Sequence, residues 1–241
     1  MNPILIALDV DTPQQAHAVA DALRGAVGGF KINTHLFTGA GPDVVRTFVE
    51  RGDRVFLDLK FHDIPNTVAG AVSAATSLGV WMVNVHASGG PAMLQAARRG
   101  ADDGAARRGA AAPLVIAVTV LTSIDAGTLA AVGVTGSPMD QVLRLARMAQ
   151  DAGLDGVVAS PQEVQAIRAA CGPEFVIVTP GIRGGSATSG PDDQQRTATP
   201  AGAIEAGSSY LVIGRPITGA ADPRSAALAI GREIDSAAPR A

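Results

Sequence analysis

Eight short apolar runs, spread along the chain and separated by helix-forming stretches, limit what this sequence can fold into more than any other feature. They occupy residues 4–8, 30–32, 54–57, 82–85, 114–119, 156–159, 176–179 and 210–213. Most are nearly continuous in apolar character, the pattern of parallel strands covered on both faces. The segments between them open with helix start signals. Thr12-Pro13-Gln14-Gln15 sets a hydroxyl N-cap, a proline at the first helical position and a Gln at the third. Ala16, Val19, Ala20 and Leu23 then fall on one helical face. The same opening recurs at Ser137-Pro138, Ser160-Pro161 (with Glu163), Thr199-Pro200 and Asp222-Pro223. Gly52, Gly79, Gly153, Gly172 and Gly207 supply helix stops, because glycine tolerates the left-handed closing turn. Eight strands alternating with eight helical stretches predict an α/β chain of one domain, residues 1–241, folded as a (β/α)8 TIM barrel. A doubly wound open sheet is the main rival, but no Gly-x-Gly-x-x-Gly follows the first run.

Composition removes several function classes. With 19 basic and 22 acidic residues the net charge is -3, so no basic field invites nucleic acid. An apolar share of 47% with only 17% charged residues excludes a disordered chain. A single cysteine, Cys171, excludes a disulfide framework and a multi-cysteine zinc site, and suits a reducing cytoplasm. Cys171 closes a predicted helix and reads as packing. The longest apolar run, residues 113–121, is too short to cross a membrane, so no membrane association is expected. No basic stretch precedes an apolar one after Met1-Asn2-Pro3, so no secretory signal is expected and the location reads as cytoplasmic. His17, His35, His62 and His86 show no metal-ligating spacing, and no metal is expected. Nucleophilic serine chemistry lacks its Gly-x-Ser-x-Gly elbow. Arg98-Arg99 and Arg107-Arg108 read as a solvated face.

The cations carry a sharper signal. Only two of the 19 basic residues are lysines, Lys31 and Lys60. Lysine can surrender a proton, whereas a guanidinium hardly deprotonates. In a barrel, chemistry belongs at the strand C-termini. Asp9, Lys31, Asp58, Lys60, His86, Thr122, Ser123, Arg183, Gly214 and Arg215 all fall there, so both lysines are among them. In Asp58-Leu59-Lys60-Phe61-His62-Asp63, strand alternation turns Asp58 and Lys60 to one face, with Asp63 beyond the strand. Asp9 and Lys31 on neighbouring strands complete a four-charge array of alternating sign. A buried structural ion pair is the plainer alternative, but clustered ionisable groups that perturb one another mark active sites. Pro180-Gly181-Ile182-Arg183-Gly184-Gly185 after the seventh run and Ile213-Gly214-Arg215-Pro216 after the eighth fit a phosphate site built from backbone N–H groups and arginine. The long stretch from Arg183 to Thr199 reads as a lid or a surface insert, with Gln194 facing ligand.

Asp58-Leu59-Lys60-Phe61-His62-Asp63-Ile64-Pro65-Asn66-Thr67 resembles the signature of the orotidine 5′-phosphate decarboxylase family. Leu8-Asp9-Val10-Asp11, Pro180-Gly181-Ile182-Arg183 and Val212-Ile213-Gly214-Arg215-Pro216 resemble its other motifs in the same order, with Gln195 departing from an expected Arg. The resemblance implies decarboxylation of orotidine 5′-monophosphate to uridine 5′-monophosphate in pyrimidine biosynthesis, with no metal or organic cofactor. Lys60 is then the proton donor, and Lys31, Asp58 and Asp63 complete a charged tetrad. Asp9 and Lys31 hold ribose hydroxyls, and Thr122, with Ser123, holds the pyrimidine. Gln194, Arg183, Gly214 and Arg215 bind phosphate. Asp63 and Thr67 reach the neighbouring site of a homodimer. Two alternatives stay open: a related magnesium-dependent sugar-phosphate decarboxylase or aldolase, and a nucleotide-binding barrel without activity.

Overall fold

In the computed structural model, which describes residues 2–183 and 198–237, every apolar run becomes a strand. The first half of the chain runs β1 (Ile4–Ala7), α1 (Pro13–Leu23), β2 (Gly29–Asn33), α2 (Thr34–Ala40), α3 (Asp43–Glu50), β3 (Val55–Phe61), α4 (Pro65–Ser77), β4 (Met82–His86) and α5 (Gly90–Arg108). The second half runs β5 (Leu114–Val118), α6 (Ala126–Ala131), α7 (Pro138–Asp151), β6 (Gly156–Val158), α8 (Val164–Cys171), β7 (Val176–Thr179), α9 (Pro200–Glu205), β8 (Tyr210–Ile213), α10 (Arg215–Thr218) and α11 (Pro223–Ala237). Each strand pairs with the next, and β8 returns to β1 through Ile4 opposite Leu211, so the sheet closes as a barrel of parallel strands. The expected single helix after β2, β5 and β8 is in each case a pair, one short and one longer.

Local chemistry explains most element ends. Thr12 accepts from the Gln15 N–H while the Gln15 side chain returns to the cap, and Ser137 forms the same box with Asp140. Those reciprocal bonds satisfy donors that a helix start leaves free. The five glycines expected to stop helices all have positive φ, between 81° and 109°. Ser160-Pro161 departs slightly, opening a short 3-10 turn (Pro161–Glu163) before α8 begins.

Alternation along the strands divides the apolar side chains into two cores. Leu5, Phe56, Met82, Ile116 and Val178 fill the inside of the barrel. Ile4, Ile6, Val55, Leu57, Val83 and Val85 point outward, against the helices. Near the strand N-termini Trp81 meets Tyr210 edge-on at 5.1 Å, and the Arg54 guanidinium lies 5.5 Å from the Trp81 ring centroid. That end is plugged by aromatic packing, which leaves the opposite end free for polar groups. Arg98 departs from the solvated face expected of it. It is largely buried and donates to Asp155 at 2.9 Å and to Asp102 at 2.8 Å, tying α5 to the start of β6.

Helices α4 and α5 pack at glycine. A Cβ on Gly100 would lie 2.3 Å from the Ala69 carbonyl oxygen, and one on Gly104 would lie 2.7 Å from the Thr76 Cβ. Overpacking of this kind costs about 1–3 kcal/mol. Gly100→Ala therefore lowers Tm by roughly 2–12 °C for a chain of this size. A Cβ at Gly231 in α11 meets no atom within 4 Å, so Gly231→Ala gains roughly 0.5–1 kcal/mol of helix propensity and does not lower Tm. Thermal denaturation of both variants checks the contrast.

Candidate active site

The C-terminal mouth of the barrel holds a cavity of about 320 Å³. Asp9, Lys31, Asp58, Lys60, Thr122, Arg183, Gly214 and Arg215 all line it, so most of the residues singled out from the sequence converge there. Lys31, Asp58 and Lys60 sit on strands, and the segments that follow β1, β5, β7 and β8 carry Asp9, Thr122, Arg183, Gly214 and Arg215. On β3 Phe56, Asp58 and Lys60 face the cavity, while Leu57 and Leu59 pack outward. On β2 Lys31 faces inward between Phe30 and Ile32, which belong to the outer core.

The charges form one continuous chain. Lys60 Nζ donates to Asp58 Oδ1 at 2.6 Å. Lys31 Nζ lies 3.2 Å from the other oxygen of the same carboxylate and 3.7 Å from Asp9 Oδ1. Asp58 thus holds one ammonium on each oxygen, and Lys31 joins it to Asp9. The side chains of Lys31 and Asp58 are only 11% and 10% exposed, whereas Lys60 remains 35% exposed at the cavity wall. Burial raises the Asp58 pKa. The Lys31 and Lys60 charges, the Lys60 hydrogen bond and the Asn84 amide outweigh that, so the carboxyl sits below its ordinary value. It stays ionised at neutral pH, and so can hold both lysines.

Two side chains that sequence reasoning missed brace this chain. Asn33 Nδ2 donates to Asp9 Oδ1 at 2.9 Å, while Asn33 Oδ1 caps α2 through the Leu36 N–H. Asn84, fully buried on β4, donates from Nδ2 to Asp58 Oδ1 at 2.6 Å and accepts from the Lys60 N–H at 2.8 Å. Its signal was a lone amide inside the run Met82-Val83-Asn84-Val85.

The remaining expectations divide. Asp63 and Thr67 are exposed and lie off their own chain's cavity, and Asp63 accepts the Ile64 N–H at 2.6 Å. Ser123 is also exposed and outside the lining, unlike its neighbour Thr122. Of the lid expected over Arg183 to Thr199, residues 184–197, with Gln194 and Gln195, lie outside the described residues. Among the described residues on either side, the Arg183 N–H donates to the Ala198 carbonyl at 2.8 Å and Ile182 bridges Ala198. Among the described residues no group of three His, Cys, Asp or Glu could hold a metal ion. No described helix is long and apolar enough to cross a membrane. Cys171 is buried, and burial pushes its thiol pKa up, in keeping with the packing role expected of it.

A family model described as orotidine 5′-phosphate decarboxylase / HUMPS matches residues 2–230. Orotidine 5′-phosphate decarboxylase of Moorella thermoacetica is 56% identical over 235 residues, covering 97% of this chain and 92% of that relative. The protein of the same name from Chromobacterium violaceum is 52% identical over 233 residues, with the same coverage. A crystal structure of orotidine 5′-phosphate decarboxylase from Lactobacillus acidophilus superposes with a TM-score of 0.87 at 39% identity. It covers 98% of this chain and 100% of that one.

His86, at the end of β4, offers a reporter of the site's field. Burial first, then the His62 and Lys60 charges, lower its pKa below the ordinary histidine value, while Asp58 opposes them. His86 is therefore neutral at pH 7. Removing the Lys60 charge removes one of the lowering influences, so Lys60→Met raises the His86 midpoint. An NMR titration of the imidazole checks the sign, and a fall in the midpoint contradicts the described field.

Proposed function

The chain belongs to the orotidine 5′-phosphate decarboxylase / HUMPS family, and on that premise we propose that it is a carbon–carbon lyase that converts orotidine 5′-monophosphate to uridine 5′-monophosphate. The observation that carries the reading is the arrangement of the cavity itself. The Asp9–Lys31–Asp58–Lys60 chain lines it together with Arg183 and Arg215, so one small space offers an ammonium held by a carboxylate and phosphate-matching guanidinium groups.

In the proposed reaction the bond between the ring carbon and the carboxylate carbon breaks heterolytically. Carbon dioxide leaves, and the electron pair stays on an sp2 ring carbon with little resonance relief. Lys60 stabilises that charge as a fixed ammonium and then donates a proton to the same carbon, leaving a neutral amine that water reprotonates. Asp58 holds Lys60 in place and faces the substrate carboxylate. Two like charges about 4 Å apart repel by about 4 kcal/mol at an effective dielectric near 20. Loss of carbon dioxide relieves that repulsion, but large enzymatic accelerations require about 8–23 kcal/mol. The balance comes from preorganised electrostatics and from phosphate binding, which stabilises the closed site.

The other roles are those that the family resemblance implies. Asp9 and Lys31 hold ribose hydroxyls, and Thr122, with Ser123 beside it, meets the pyrimidine. Gly214, Arg183, Arg215 and Gln194 take the phosphate. Asp63 and Thr67, exposed and away from their own cavity, serve the neighbouring site of a homodimer. The barrel is a single catalytic domain and acts in cytoplasmic pyrimidine synthesis. A magnesium-dependent sugar-phosphate enzyme is disfavoured because the Lys31 ammonium lies between Asp9 and Asp58, where a metal cation would be repelled.

An ultraviolet assay with orotidine 5′-monophosphate, with and without EDTA, tests the reading. Turnover unaffected by the chelator supports it, and strict dependence on magnesium favours the rival. Lys60→Ala abolishes turnover while uridine 5′-monophosphate still binds, as isothermal titration calorimetry will show. Substantial residual decarboxylation there removes Lys60 from its role. Arg215→Ala raises KM more than it lowers kcat. Mixing inactive Lys60→Ala with inactive Asp63→Ala restores activity if sites are shared, because one site of each mixed dimer is then intact. No recovery on subunit exchange excludes the shared site.

A further inference from the structure

Strands β3 and β4 lose their regular pairing directly beneath the lysine. Leu57 pairs with Val83 and Phe61 with Val85, so four steps along β3 face two along β4. Asp58, Leu59 and Lys60 fill the bulge. Lys60 has φ 53°, the one non-glycine residue with positive φ among those described. Such a conformation persists only where its surroundings over-determine it. Asn84 is the residue of β4 that stands across the gap, between Val83 and Val85.

Both polar ends of Asn84 are engaged with the site. Oδ1 accepts the Lys60 backbone N–H, which the bulge has taken out of the strand ladder. Nδ2 donates to the Asp58 oxygen that also receives Lys60 Nζ. A barrel interior filled by Phe56, Met82 and Ile116 does not need an amide at this height. A fully buried amide is costly unless bonded, and here its partners are the two residues at the centre of the charge chain.

We propose that Asn84 is a positioning residue for the decarboxylation, clamping the β3 bulge so that the Lys60 ammonium and the Asp58 carboxylate meet at one place in the cavity. The proposal rests on Lys60 being the proton donor. One contact fixes where the lysine backbone turns, and the other fixes which Asp58 oxygen faces Lys60, leaving the second oxygen for Lys31. The charged groups around Asp58 are Lys31 on β2 and Lys60 on β3, with Asp9 beyond Lys31, and the titratable but neutral His86 faces it from β4. The Asn84 hydrogen bond is among the causes that keep the Asp58 carboxyl ionised.

Asn84→Ala tests this. It lowers kcat between about 10- and 100-fold, the worth of one hydrogen bond to a charged group. KM for orotidine 5′-monophosphate changes much less, because the arginines and the ribose contacts are untouched. The Asp58 carboxyl midpoint, followed by 13C NMR, moves up. A variant with lowered Tm but unchanged kcat and an unchanged Asp58 midpoint overturns the proposal. Asn84→Asp keeps an acceptor for the Lys60 N–H but sets a like charge against Asp58, so kcat falls and the carboxyl pair takes up a proton at higher pH. Wild-type kcat in that variant removes the donor half of the clamp. If neither variant folds, the wild-type Asn84 side-chain amide resonances decide. They shift with the Asp58 titration if the contact is real, and indifference to it overturns the proposal. The NMR readouts need no turnover, so they judge Asn84 separately. A wild-type protein inert towards orotidine 5′-monophosphate sinks the proposed function instead.

Discussion

One carboxylate shared by two ammonium groups is the contact on which the rest of the site depends. Asp58 is almost buried, with Lys60 on one oxygen and Lys31 on the other. Desolvation works against its charge, and the lysines together with the Asn84 amide reverse that balance. The arrangement is mutual. Removing Asp58 would leave two like charges facing each other beside a largely closed wall, and unpaired buried charge is strongly destabilising. The shared carboxylate therefore holds the Lys60 ammonium at the cavity wall. Lys60 retains about a third of its exposure, enough to meet a ligand.

The barrel makes this contact possible through its division of labour along the strand axis. Aromatic and aliphatic side chains fill the lower interior, from the Trp81–Tyr210 pair up to Phe56 and Met82. Above them the inward positions change from apolar to charged, at Asp58 on β3 and at Lys31 on β2. The outward positions of the same strands remain apolar throughout and carry the helices. Stability and chemistry thus occupy different layers, so the charged mouth can be poorly packed without loosening the closed sheet.

Much of this was legible in the sequence. Continuous apolar runs gave parallel strands because both of their faces are covered, and period-two alternation put Asp58 and Lys60 on one side. The scarcity of lysine drew attention to the two that matter. Asn84 was harder to see. A lone amide in an apolar run signals only that something buried needs hydrogen bonds, and its partners depend on the register break between β3 and β4, which is a tertiary property. Asn33 was hidden for a similar reason, since one amide both caps α2 and steadies Asp9. Arg98 looked solvated on its own helix because its partner Asp155 lies 57 residues away. The doubling of helices after β2, β5 and β8 was missed because short connecting helices of four to seven residues carry too little periodicity to stand out.

If Lys60 protonates a ring carbon as proposed, that transfer must also run in reverse, since a catalyst accelerates both directions of the same step. Incubating the enzyme with uridine 5′-monophosphate in D2O and following the ring proton at the former carboxylate position by 1H NMR measures that reverse step directly. The account predicts enzyme-dependent loss of that proton signal with the wild type and none above background with Lys60→Ala. Exchange of equal rate in the two proteins would contradict it.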